Sequence, residues 1–351
     1  MKKVLLIFGG RSSEYKVSLV SAHSVISNIP RDKYDVALLG ITEEGRWLYY
    51  DGDTDLIPGD SWQGEHCYPA ALCPDHGAKR LDIRKNDGSV CSLDIDAVFP
   101  VLHGRNGEDG TIQGLFQLAG IPFVGCDCLS SAMCMDKAVA NTMLVAFGIK
   151  HAEWRSCRRS EYDRDPDGFR TECETALGYP MFVKPANAGS SVGISKIHSA
   201  DEFRGCVLAA FAEDGKIVVE RAITGREVEC AVLGDEELFV SAPGEIRACN
   251  EFYDYEAKYH SVSELIIPAE LPEDIAAEVR HTAEKAFRAM GCRGMTRVDS
   301  FITPEGEVIV NELNTIPGFT SISMYSKMLE ASGIPYPEII DRLLHIAMAV
   351  K

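Results

Sequence analysis

The chain opens with a strand pattern followed by a helix pattern. Residues 2–8 are almost continuously apolar, which is typical of a parallel strand buried on both faces. A Gly-Gly pair follows, and from Glu14 onward the apolar residues recur at helical spacing. This strand–helix unit predicts an open α/β domain that binds ligands at the carboxyl ends of its strands. The fingerprint G-x-G-x-x-G is missing from the turn, so the pattern does not support a dinucleotide site.

Two polar residues lie where such a domain binds ligands. His103 follows an apolar strand and precedes the glycine-rich loop GRNGEDG. It is either a satisfied structural histidine or a functional residue, and the adjacent loop favours function. Glu14 is either an acid stabilised by the helix dipole or a carboxylate directed at a substrate amine. First-turn acids are common on dipole grounds, so the pattern alone favours the structural interpretation of Glu14.

A strand, a loop rich in glycine and serine, and a second strand follow one another in the middle of the chain. Lys184 ends the strand that begins at Met181, and the loop contains Gly189, Ser190, Ser191 and Gly193. In a Walker loop the lysine follows the glycines and a helix comes next, so this order is different. The loop predicts instead a flexible cover whose backbone N–H groups and hydroxyls bind phosphates.

The remaining pattern predicts helices separated by less regular segments. We expect one continuous helix over 129–147, an amphipathic helix over 272–290 and a C-terminal helix over about 337–348. Residues 158–170 are charged and are predicted to be a loose connection. Residues 51–92 are polar and rich in turn residues, and the pattern assigns no element there.

The stretch 294–325 carries the densest group of candidate ligands. Two apolar runs flank a turn with Pro304 and Gly306, which predicts a β-hairpin. The hairpin brings Asp299 roughly opposite Glu312, and Asn314 leaves the same face of the sheet as Glu312. Two carboxylates and an amide oxygen leave room for water and phosphate, which suits Mg²⁺. The alternative is a hairpin with a polar solvent face, but acids clustered between apolar runs are costly when unpaired.

The composition and net charge of the chain limit the kinds of protein that it could be. The chain has 351 residues, enough for two or three domains, and 46% hydrophobic and 25% charged residues, as in globular proteins. The net charge of −18 disfavours non-specific binding to nucleic acids or anionic membranes. No apolar run reaches the roughly 18 residues of a membrane span. The 12 cysteines form no CxxC pair, and MKKVLLIFGG reads as a strand, so we expect reduced thiols in the cytoplasm.

Seven segments, spread over nearly the whole chain, carry a family resemblance. They are FGGRSSEYKVSL, FPVLHGRNGEDGTIQG, MDK at 135–137, VKPANAGSSVG, YEAKY, RVDSF and NELNTIPGFTS. In this order they resemble the D-alanine–D-alanine ligases, members of the ATP-grasp superfamily. The resemblance implies an α/β fold (α+β overall) with an N-terminal open parallel-sheet domain at 1–124, a central domain at 125–224 and a C-terminal catalytic domain at 225–351. ATP would lie between the sheets of the last two domains.

The resemblance also implies an activity and the ATP-binding residues. ATP would phosphorylate the carboxylate of one D-alanine, and the amine of a second D-alanine would attack the acylphosphate to give a peptidoglycan precursor. Two Mg²⁺ ions, or Mn²⁺, would be bound by Asp299, Glu312 and Asn314. ATP itself would be bound by Lys137, Lys184, Ser190, Ser191, Glu220, Ala222, Ile223, Glu227 and Lys258.

The resemblance assigns the substrate residues as well. Glu14 would bind the ammonium of the first substrate, with His103 nearby, which overturns the structural interpretation of Glu14. Arg297 and the backbone N–H of Gly318 would stabilise the tetrahedral oxyanion, and Ser323 would bind the second substrate's carboxylate. The segment EFYDYEAKYHS has no regular period and predicts a lid. When the lid closes, hydrogen bonds would link Glu14, Ser190 and Tyr259.

The choice of second substrate depends on Met324. VFPVLHG, NGEDGT and GCDCLSSAMCMDK also resemble the D-alanine–D-serine ligases of vancomycin-resistance type, which tend to carry an arginine at this position. Methionine offers an apolar wall suited to a methyl group, so D-alanine is favoured and D-serine is the alternative. An apolar pocket rejects an added hydroxyl only about 10²-fold, so some use of D-serine is expected. The family further implies a homodimer, and we expect no nucleic-acid or membrane partner.

Overall fold

The computed structural model describes residues 1–189, 192–247, 264–320 and 322–349. The predicted lid lies outside the described residues, as do four predicted site residues: Ser190, Ser191, Lys258 and Tyr259. Three β-sheets organise the described part of the chain. Within these ranges, none of the helices combines the length and the apolar character that a membrane crossing requires.

The first sheet has seven strands in the order β6-β5-β4-β3-β2-β1-β7. The strands are β1 (Lys2–Gly9), β2 (Tyr34–Ile41), β3 (Trp47–Tyr50), β4 (Cys67–Leu72), β5 (Arg80–Arg84), β6 (Val90–Asp94) and β7 (Ala97–Val101). β1 pairs in parallel with β2 and β7, whereas β2 to β6 form an antiparallel meander. The unassigned segment 51–92 therefore supplies strands, together with a 3₁₀ helix at Thr54–Leu56.

Two helices cover opposite faces of this sheet, α1 (Tyr15–Asn28) and α2 (Thr111–Ala119). Alternate residues of β1, such as Leu6, belong to the core that α1 completes, and Ile7 belongs to the core on the α2 side. This two-sided burial explains why β1 is continuously apolar. Because β1 and β7 are parallel neighbours, the loops at their carboxyl ends lie at one edge of the sheet, and these loops hold Glu14 and His103.

The second sheet is antiparallel, with the strand order β10-β9-β11-β8. Its strands are β8 (Trp154–Arg158), β9 (Met181–Pro185), β10 (Ser195–Ile197) and β11 (Lys216–Arg221). The helices of this region are α3 (Cys128–Met135), α4 (Lys137–Ala146), α5 (Arg159–Tyr162), α6 (Pro166–Leu177) and α7 (Ala200–Glu213). The prediction that residues 158–170 form a loose connection is wrong, since they hold α5 and the start of α6. The α6 start is capped, because Asp165 Oδ1 accepts the Gly168 N–H (2.9 Å).

The prediction of one continuous helix over 129–147 is also wrong. Asp136 is extended, and it ends α3 and begins α4. Its Oδ1 accepts the N–H groups of Ala138 (3.1 Å) and Val139 (3.2 Å), the usual chemistry of an N-cap. The Lys137 N–H donates to Ala186 O, directly after β9 of the second sheet, at 3.0 Å. The break therefore fixes Lys137 at the first position of α4.

The third sheet has six strands in the order β15-β14-β12-β16-β17, with β13 paired to β12. The strands are β12 (Arg226–Gly234), β13 (Leu238–Val240), β14 (Gly244–Arg247), β15 (Glu264–Ile266), β16 (Gly294–Ile302) and β17 (Val308–Asn314). The helices are α8 (Glu273–Ala289), α9 (Met324–Ala331) and α10 (Tyr336–Ala349). The apolar face of α10, the last of these helices, belongs to the same hydrophobic core as β1 and α1.

The predicted hairpin is confirmed as β16 and β17. Asp299 pairs with Glu312 in the antiparallel register, and a register irregularity follows directly after Asp299. The turn closes with the Gly306 N–H donating to Thr303 O (2.9 Å), and Gly306 has a φ of 83° that favours glycine. Local turn chemistry and alternation thus suffice to set this pair of strands.

Candidate active site

One large cavity, of about 840 Å³, collects the predicted site residues. Its walls come from the second and third sheets and from the loops at the edge of the first sheet. The predicted residues that line it are Glu14, His103, Lys137, Lys184, Glu220, Ala222, Ile223, Glu227, Arg297, Asp299, Glu312, Asn314, Gly318, Ser323 and Met324. Residues from every predicted domain therefore meet in one place, although the domain boundaries themselves stay a prediction.

The β16–β17 hairpin supplies the acidic wall of the cavity. Asp299 is buried, and its two oxygens accept from Arg297 Nε and Nη2, both at 2.7 Å. Asn314 Nδ2 also donates to Asp299 Oδ2 (3.0 Å). Arg297 and Asp299 can pair in this bidentate way because they lie two apart on one strand and share a face. The hairpin thus holds its carboxylate and its guanidinium in one fixed arrangement.

Arg297 has a second carboxylate partner that sequence reasoning missed. Its Nε lies 3.0 Å from Oε2 of Glu229 on β12, and both side chains are largely buried. Burial alone would lower the pKa of the guanidinium, but Asp299, Glu229 and Glu312 raise it well above its ordinary value. Arg297 is therefore a permanently charged, doubly anchored group that faces the cavity.

The acidic wall suits a hard cation that is completed by other ligands. Within the described ranges, no three His, Cys, Asp or Glu side chains gather so that they could hold a metal ion on their own. Asp299 and Glu312 supply carboxylate oxygens at paired positions, and Asn314 adds an amide beside them. Such a donor set fits Mg²⁺, which keeps waters and takes phosphate oxygens rather than a closed protein cage. The residues present therefore fit the predicted metal.

A buried ion pair lies beside this wall. Lys184 Nζ on β9 contacts Glu220 Oε2 on β11 at 2.6 Å, and Asn141 Nδ2 on α4 donates to the other Glu220 oxygen (2.9 Å). Burial alone would raise the pKa of Glu220, but the Lys184 ammonium, His151 and the two hydrogen bonds outweigh it and lower the pKa to about 2. Both oxygens of Glu220 thus have protein partners, and Lys184 is fixed toward the cavity.

This ion pair gives a prediction for acid stability. The pKa of Glu220 falls from 4.5 to about 2 on folding, so its stabilisation is complete above about pH 4.5 and is lost as the pH falls toward 2. The full shift is worth about 3 kcal/mol. In urea unfolding between about pH 6 and pH 3, we expect the free energy of unfolding of Glu220→Gln to fall less steeply with acid than that of the wild type. The matched control is Glu236→Gln at an exposed position, which should show the same pH dependence as the wild type. A Glu220→Gln variant whose free energy of unfolding falls as steeply as that of the wild type would contradict this account.

Lys137 reaches the same cavity from the start of α4. Its Nζ donates to Ala188 O at 2.8 Å and lies 3.9 Å from Glu312 Oε2. The ammonium therefore stands between the glycine-rich loop after β9 and the acidic wall. Because the break at Asp136 sets this position, Lys137 lies at the start of a helix, and its side chain faces the cavity instead of solvent.

Glu14 is buried against two backbone segments at the edge of the first sheet. A Cβ added to Gly104 or to Gly189 would lie 2.3 Å from Glu14 Oε2, so neither position has room for a side chain. Gly104 also has a φ of 69°, which favours glycine independently. The Glu14 carboxylate thus joins the loop after β7 to the glycine-rich loop after β9. Its predicted contact with a substrate ammonium stays a prediction.

Glu108 is a partly buried acid in the wall of this cavity that the sequence analysis did not single out. Its Oε2 accepts the Gly104 N–H (2.7 Å) and its Oε1 accepts the Ile316 N–H (3.1 Å). Burial and the Glu14 carboxylate raise the pKa of Glu108 to about 8, although the two backbone donors act in the opposite direction. The signal in the sequence was an acid among glycines in GRNGEDG, where no solvent-facing helix or strand accounts for it.

His103 is buried and contacts the backbone of Ile316, as Glu108 does. Its Nδ1 lies 3.0 Å from Ile316 O, and its Nε2 lies 3.1 Å from Ser21 Oγ. Burial lowers the pKa of the imidazole, and this effect outweighs the attraction of the nearby Glu14 carboxylate. A neutral histidine with both ring nitrogens engaged by protein groups is the result. The predicted substrate contact of His103 stays a prediction.

The segment after β17 supplies the last group of predicted residues. Ser323 Oγ accepts the Thr320 N–H (2.9 Å), and a Cβ added to Gly318 would lie 2.8 Å from the same oxygen. Met324 is buried at the start of α9, and its Cε would lie 2.4 Å from a Cβ at Gly244. Ser323 and Met324 therefore stand together at the helix start, one polar and one apolar.

Two family models match most of the chain. The model described as D-ala D-ala ligase N-terminus matches residues 3–126, and the model described as D-ala D-ala ligase C-terminus matches residues 143–345. The chain is 48% identical to a D-alanine–D-alanine ligase of Acetivibrio thermocellus, and the match covers 99% of this chain and 96% of that protein.

Solved ligase structures also match nearly the whole chain. The chain matches the VanG D-Ala:D-Ser ligase from Enterococcus faecalis with a TM-score of 0.90 and 40% identity, over 99% of each chain. It matches the D-alanine–D-alanine ligase from Coxiella burnetii with a TM-score of 0.86 and 33% identity, over 99% of this chain and 95% of that one. The α/β fold class and the ATP-grasp architecture expected from the sequence are confirmed by these matches.

Proposed function

The chain belongs to the D-alanine–D-alanine ligase family, and we propose that it joins two D-alanine molecules at the expense of ATP. A carboxylate oxygen of the first D-alanine attacks the γ-phosphorus of ATP, and ADP leaves. The amine of the second D-alanine attacks the resulting acylphosphate carbon, loses its proton, and phosphate leaves. The product, D-alanyl-D-alanine, serves the synthesis of peptidoglycan precursors.

A single observation carries this proposal. One cavity contains two lysines suited to phosphates, an acidic wall suited to Mg²⁺ and an anchored arginine next to the segment with Gly318. Phosphoryl transfer requires positioning and neutralisation of charge more than covalent participation by the protein. The arrangement meets both needs with side chains that ion pairs and hydrogen bonds within the protein hold in place.

The side chains divide the work of the reaction. Lys137 and Lys184 would neutralise the phosphates of ATP, and Glu220, Ala222, Ile223 and Glu227 line the cavity where its adenine and ribose would bind. Asp299, Glu312 and Asn314 would hold two Mg²⁺ ions, or Mn²⁺, which screen the charge of the transferred phosphoryl group. Arg297 would stabilise the oxyanion of the tetrahedral intermediate together with the Gly318 N–H. Ser323, at the start of α9, would donate a hydrogen bond to the carboxylate of the second D-alanine.

An isotope experiment tests this sequence of steps. D-Alanine labelled with ¹⁸O in its carboxylate is incubated with the protein, ATP and Mg²⁺. We expect phosphate release that depends on D-alanine, with one ¹⁸O atom carried into the phosphate because that oxygen bonded the phosphorus. Release of phosphate at the same rate without D-alanine would sink the proposal, and unlabelled phosphate would exclude the acylphosphate.

D-Serine is the second candidate for the second substrate, because a solved D-Ala:D-Ser ligase matches 99% of the chain at 40% identity. Met324 favours D-alanine, since its buried, apolar side chain lines the cavity next to Ser323. We expect Met324→Arg to lower D-alanyl-D-alanine formation at least about tenfold and to raise the share of D-serine product, because the cation reshapes the apolar wall. The kcat/KM values for the two amino acids measure this share.

Met324→Leu is the matched control for this prediction. Leucine keeps the apolar character and nearly the volume of methionine, so the preference for D-alanine should change little. If the arginine and leucine variants show the same preference as the wild type, Met324 does not determine the second substrate.

Assembly and location complete the proposal. Leu118 on α2 and Leu129 on α3 are 73% and 65% exposed, and the two helices contact each other. We infer that these exposed apolar side chains belong to the surface of a homodimer. Light scattering should then give twice the mass of one chain, and a monomer mass would contradict this. We place the protein in the cytoplasm, because its substrate ATP is found there and every cysteine in the described ranges is free.

A further inference from the structure

Residues 315–319, here called the oxyanion loop, connect β17 to the segment before α9 and contain Gly318. The loop is held at two residues, Ile316 and Phe319, which flank Pro317 and Gly318. Pro317 has no N–H group, and the N–H groups of Ile316 and Phe319 both have protein acceptors. The contacts that hold the loop come mostly from the first sheet and its helix α1, far away in sequence.

The first contact fixes the N–H group of Ile316. Glu108 accepts it through Oε1 at 3.1 Å, while Oε2 accepts the Gly104 N–H at 2.7 Å. One carboxyl group therefore ties the loop after β7 directly to the oxyanion loop. Each oxygen serves one of the two segments, so a change at either oxygen would loosen the connection.

The second contact is a directed chain of hydrogen bonds through His103. Ile316 O can only accept, so Nδ1 must carry the imidazole proton that donates to it (3.0 Å). Nε2 is then an acceptor, and the Ser21 hydroxyl donates to it (3.1 Å). The same Ser21 oxygen accepts the Phe319 N–H (3.4 Å). These hydrogen bonds all point in one direction, from the Phe319 N–H through Ser21 and His103 to Ile316 O. They therefore connect both ends of the oxyanion loop.

The third contact holds the far end of the loop. Tyr336 on α10 donates its hydroxyl to Phe319 O (2.6 Å) and lies 3.0 Å from Ser24 Oγ on α1. The Phe319 ring is fully buried and packs edge-on against Phe99 of β7, with 6.0 Å between ring centroids. The N–H and C=O groups of both Ile316 and Phe319 are thus engaged, which leaves little freedom for Gly318 between them.

We propose that Ser21, His103 and Glu108 are positioning residues that hold the Gly318 N–H in the direction of the reaction's oxyanion. This inference rests on the proposed ligase function, in which the Gly318 N–H stabilises the tetrahedral intermediate. It assigns a catalytic purpose to the N-terminal sheet beyond substrate binding. A displacement of the loop by less than 1 Å would lower the rate without changing how ATP binds, because the lysines and the acidic wall are anchored separately.

Two variants test the proposal, with a matched control on the same helix. Ser21→Ala removes the acceptor of the Phe319 N–H, and Glu108→Gln replaces one of the two accepting side-chain oxygens with an NH₂ group that cannot accept. We expect kcat to fall about 10- to 100-fold in each variant, while the KM for ATP changes by less than about twofold. Ser27→Ala, which removes an exposed α1 hydroxyl bonded only to His23 O among the described groups, should match the wild type.

Two further readouts distinguish positioning from general damage. A phosphinate dipeptide that mimics the tetrahedral intermediate should bind more weakly by the same factor as kcat falls, because it needs the oxyanion donor. Amide hydrogen exchange should become faster at Ile316 and Phe319 while the melting temperature of Ser21→Ala stays near that of the wild type.

Each outcome decides the proposal. Unchanged exchange at the loop in both variants would overturn the contact network even if the wild type proves not to be a ligase. Faster exchange with unchanged kcat and unchanged phosphinate binding would overturn the catalytic role of the network. A wild type without D-alanine-dependent phosphate release would instead refute the proposed function, and the exchange result would still be valid.

Discussion

Replacing Glu312 by glutamine should lower D-alanine-dependent turnover at least about 10³-fold. Glu312 pairs with Asp299 in the hairpin and supplies a carboxylate to the acidic wall, so its loss removes charge that Mg²⁺ requires. The cation screens several kcal/mol of developing phosphate charge, and about 4 kcal/mol corresponds to a factor of 10³ in rate. The measurement is phosphate release at saturating ATP over a range of Mg²⁺ concentrations.

Glu305→Gln is the matched control for Glu312→Gln. Glu305 is an exposed residue in the turn of the same hairpin, far from the paired strand positions that face the cavity. It should keep wild-type activity and a wild-type Mg²⁺ requirement. Turnover of Glu312→Gln close to that of the wild type would remove Glu312 from the metal site.

Replacing Arg297 by methionine should damage both catalysis and folding. The variant loses a donor for the tetrahedral oxyanion, which should lower kcat about 10²- to 10³-fold. It also leaves the buried carboxylates of Asp299 and Glu229 without their guanidinium, which should reduce the free energy of unfolding by about 3–5 kcal/mol. Phosphate release and urea unfolding measure the two effects separately.

Arg297→Lys separates charge from geometry in this prediction. Lysine keeps the positive charge but cannot make the bidentate contact with Asp299, so stability should recover more than kcat does. If Arg297→Met lost neither stability nor activity, the guanidinium would be neither the anchor of the acidic wall nor an oxyanion donor.

The parts of the site that could be predicted from the sequence are encoded locally. The turn at Gly306 and the alternation along 294–314 are sufficient to bring Asp299 opposite Glu312. Likewise, Lys184 at the end of an apolar strand, before a glycine-rich loop, predicts a group that faces phosphates. Each of these features depends on residues that are close together in the sequence, in the same strand or in the next element.

The parts that could not be predicted depend on distant contacts. Glu108 and Ile316 are 208 residues apart, and Ser21 and Phe319 are 298 residues apart, so no local period records either pair. Glu229 reads as one polar position of an alternating strand until β12 and β16 pair and bring it to Arg297. Tertiary pairing, which a pattern along the chain cannot encode, selects these residues.

The break at Asp136 is an intermediate case. The apolar spacing over 129–147 continues through it, so a helical period alone predicts one helix. The side chain of an aspartate before Lys137 can cap a new helix, but the same residue also occurs on solvated helix faces. The contact between the Lys137 N–H and Ala186 O decides between the two, and it is known only from the fold.

One product analysis tests the central claim most directly. The protein is supplied with ATP, Mg²⁺ and equal amounts of D-alanine, D-serine and D-lactate, and the products are weighed by mass spectrometry. We predict that D-alanyl-D-alanine is the main product and that all D-alanyl products together equal the ADP and the phosphate formed. ATP consumption without any D-alanyl product would contradict the ligase assignment, and a dominant D-alanyl-D-serine product would contradict the assignment of the second substrate to D-alanine.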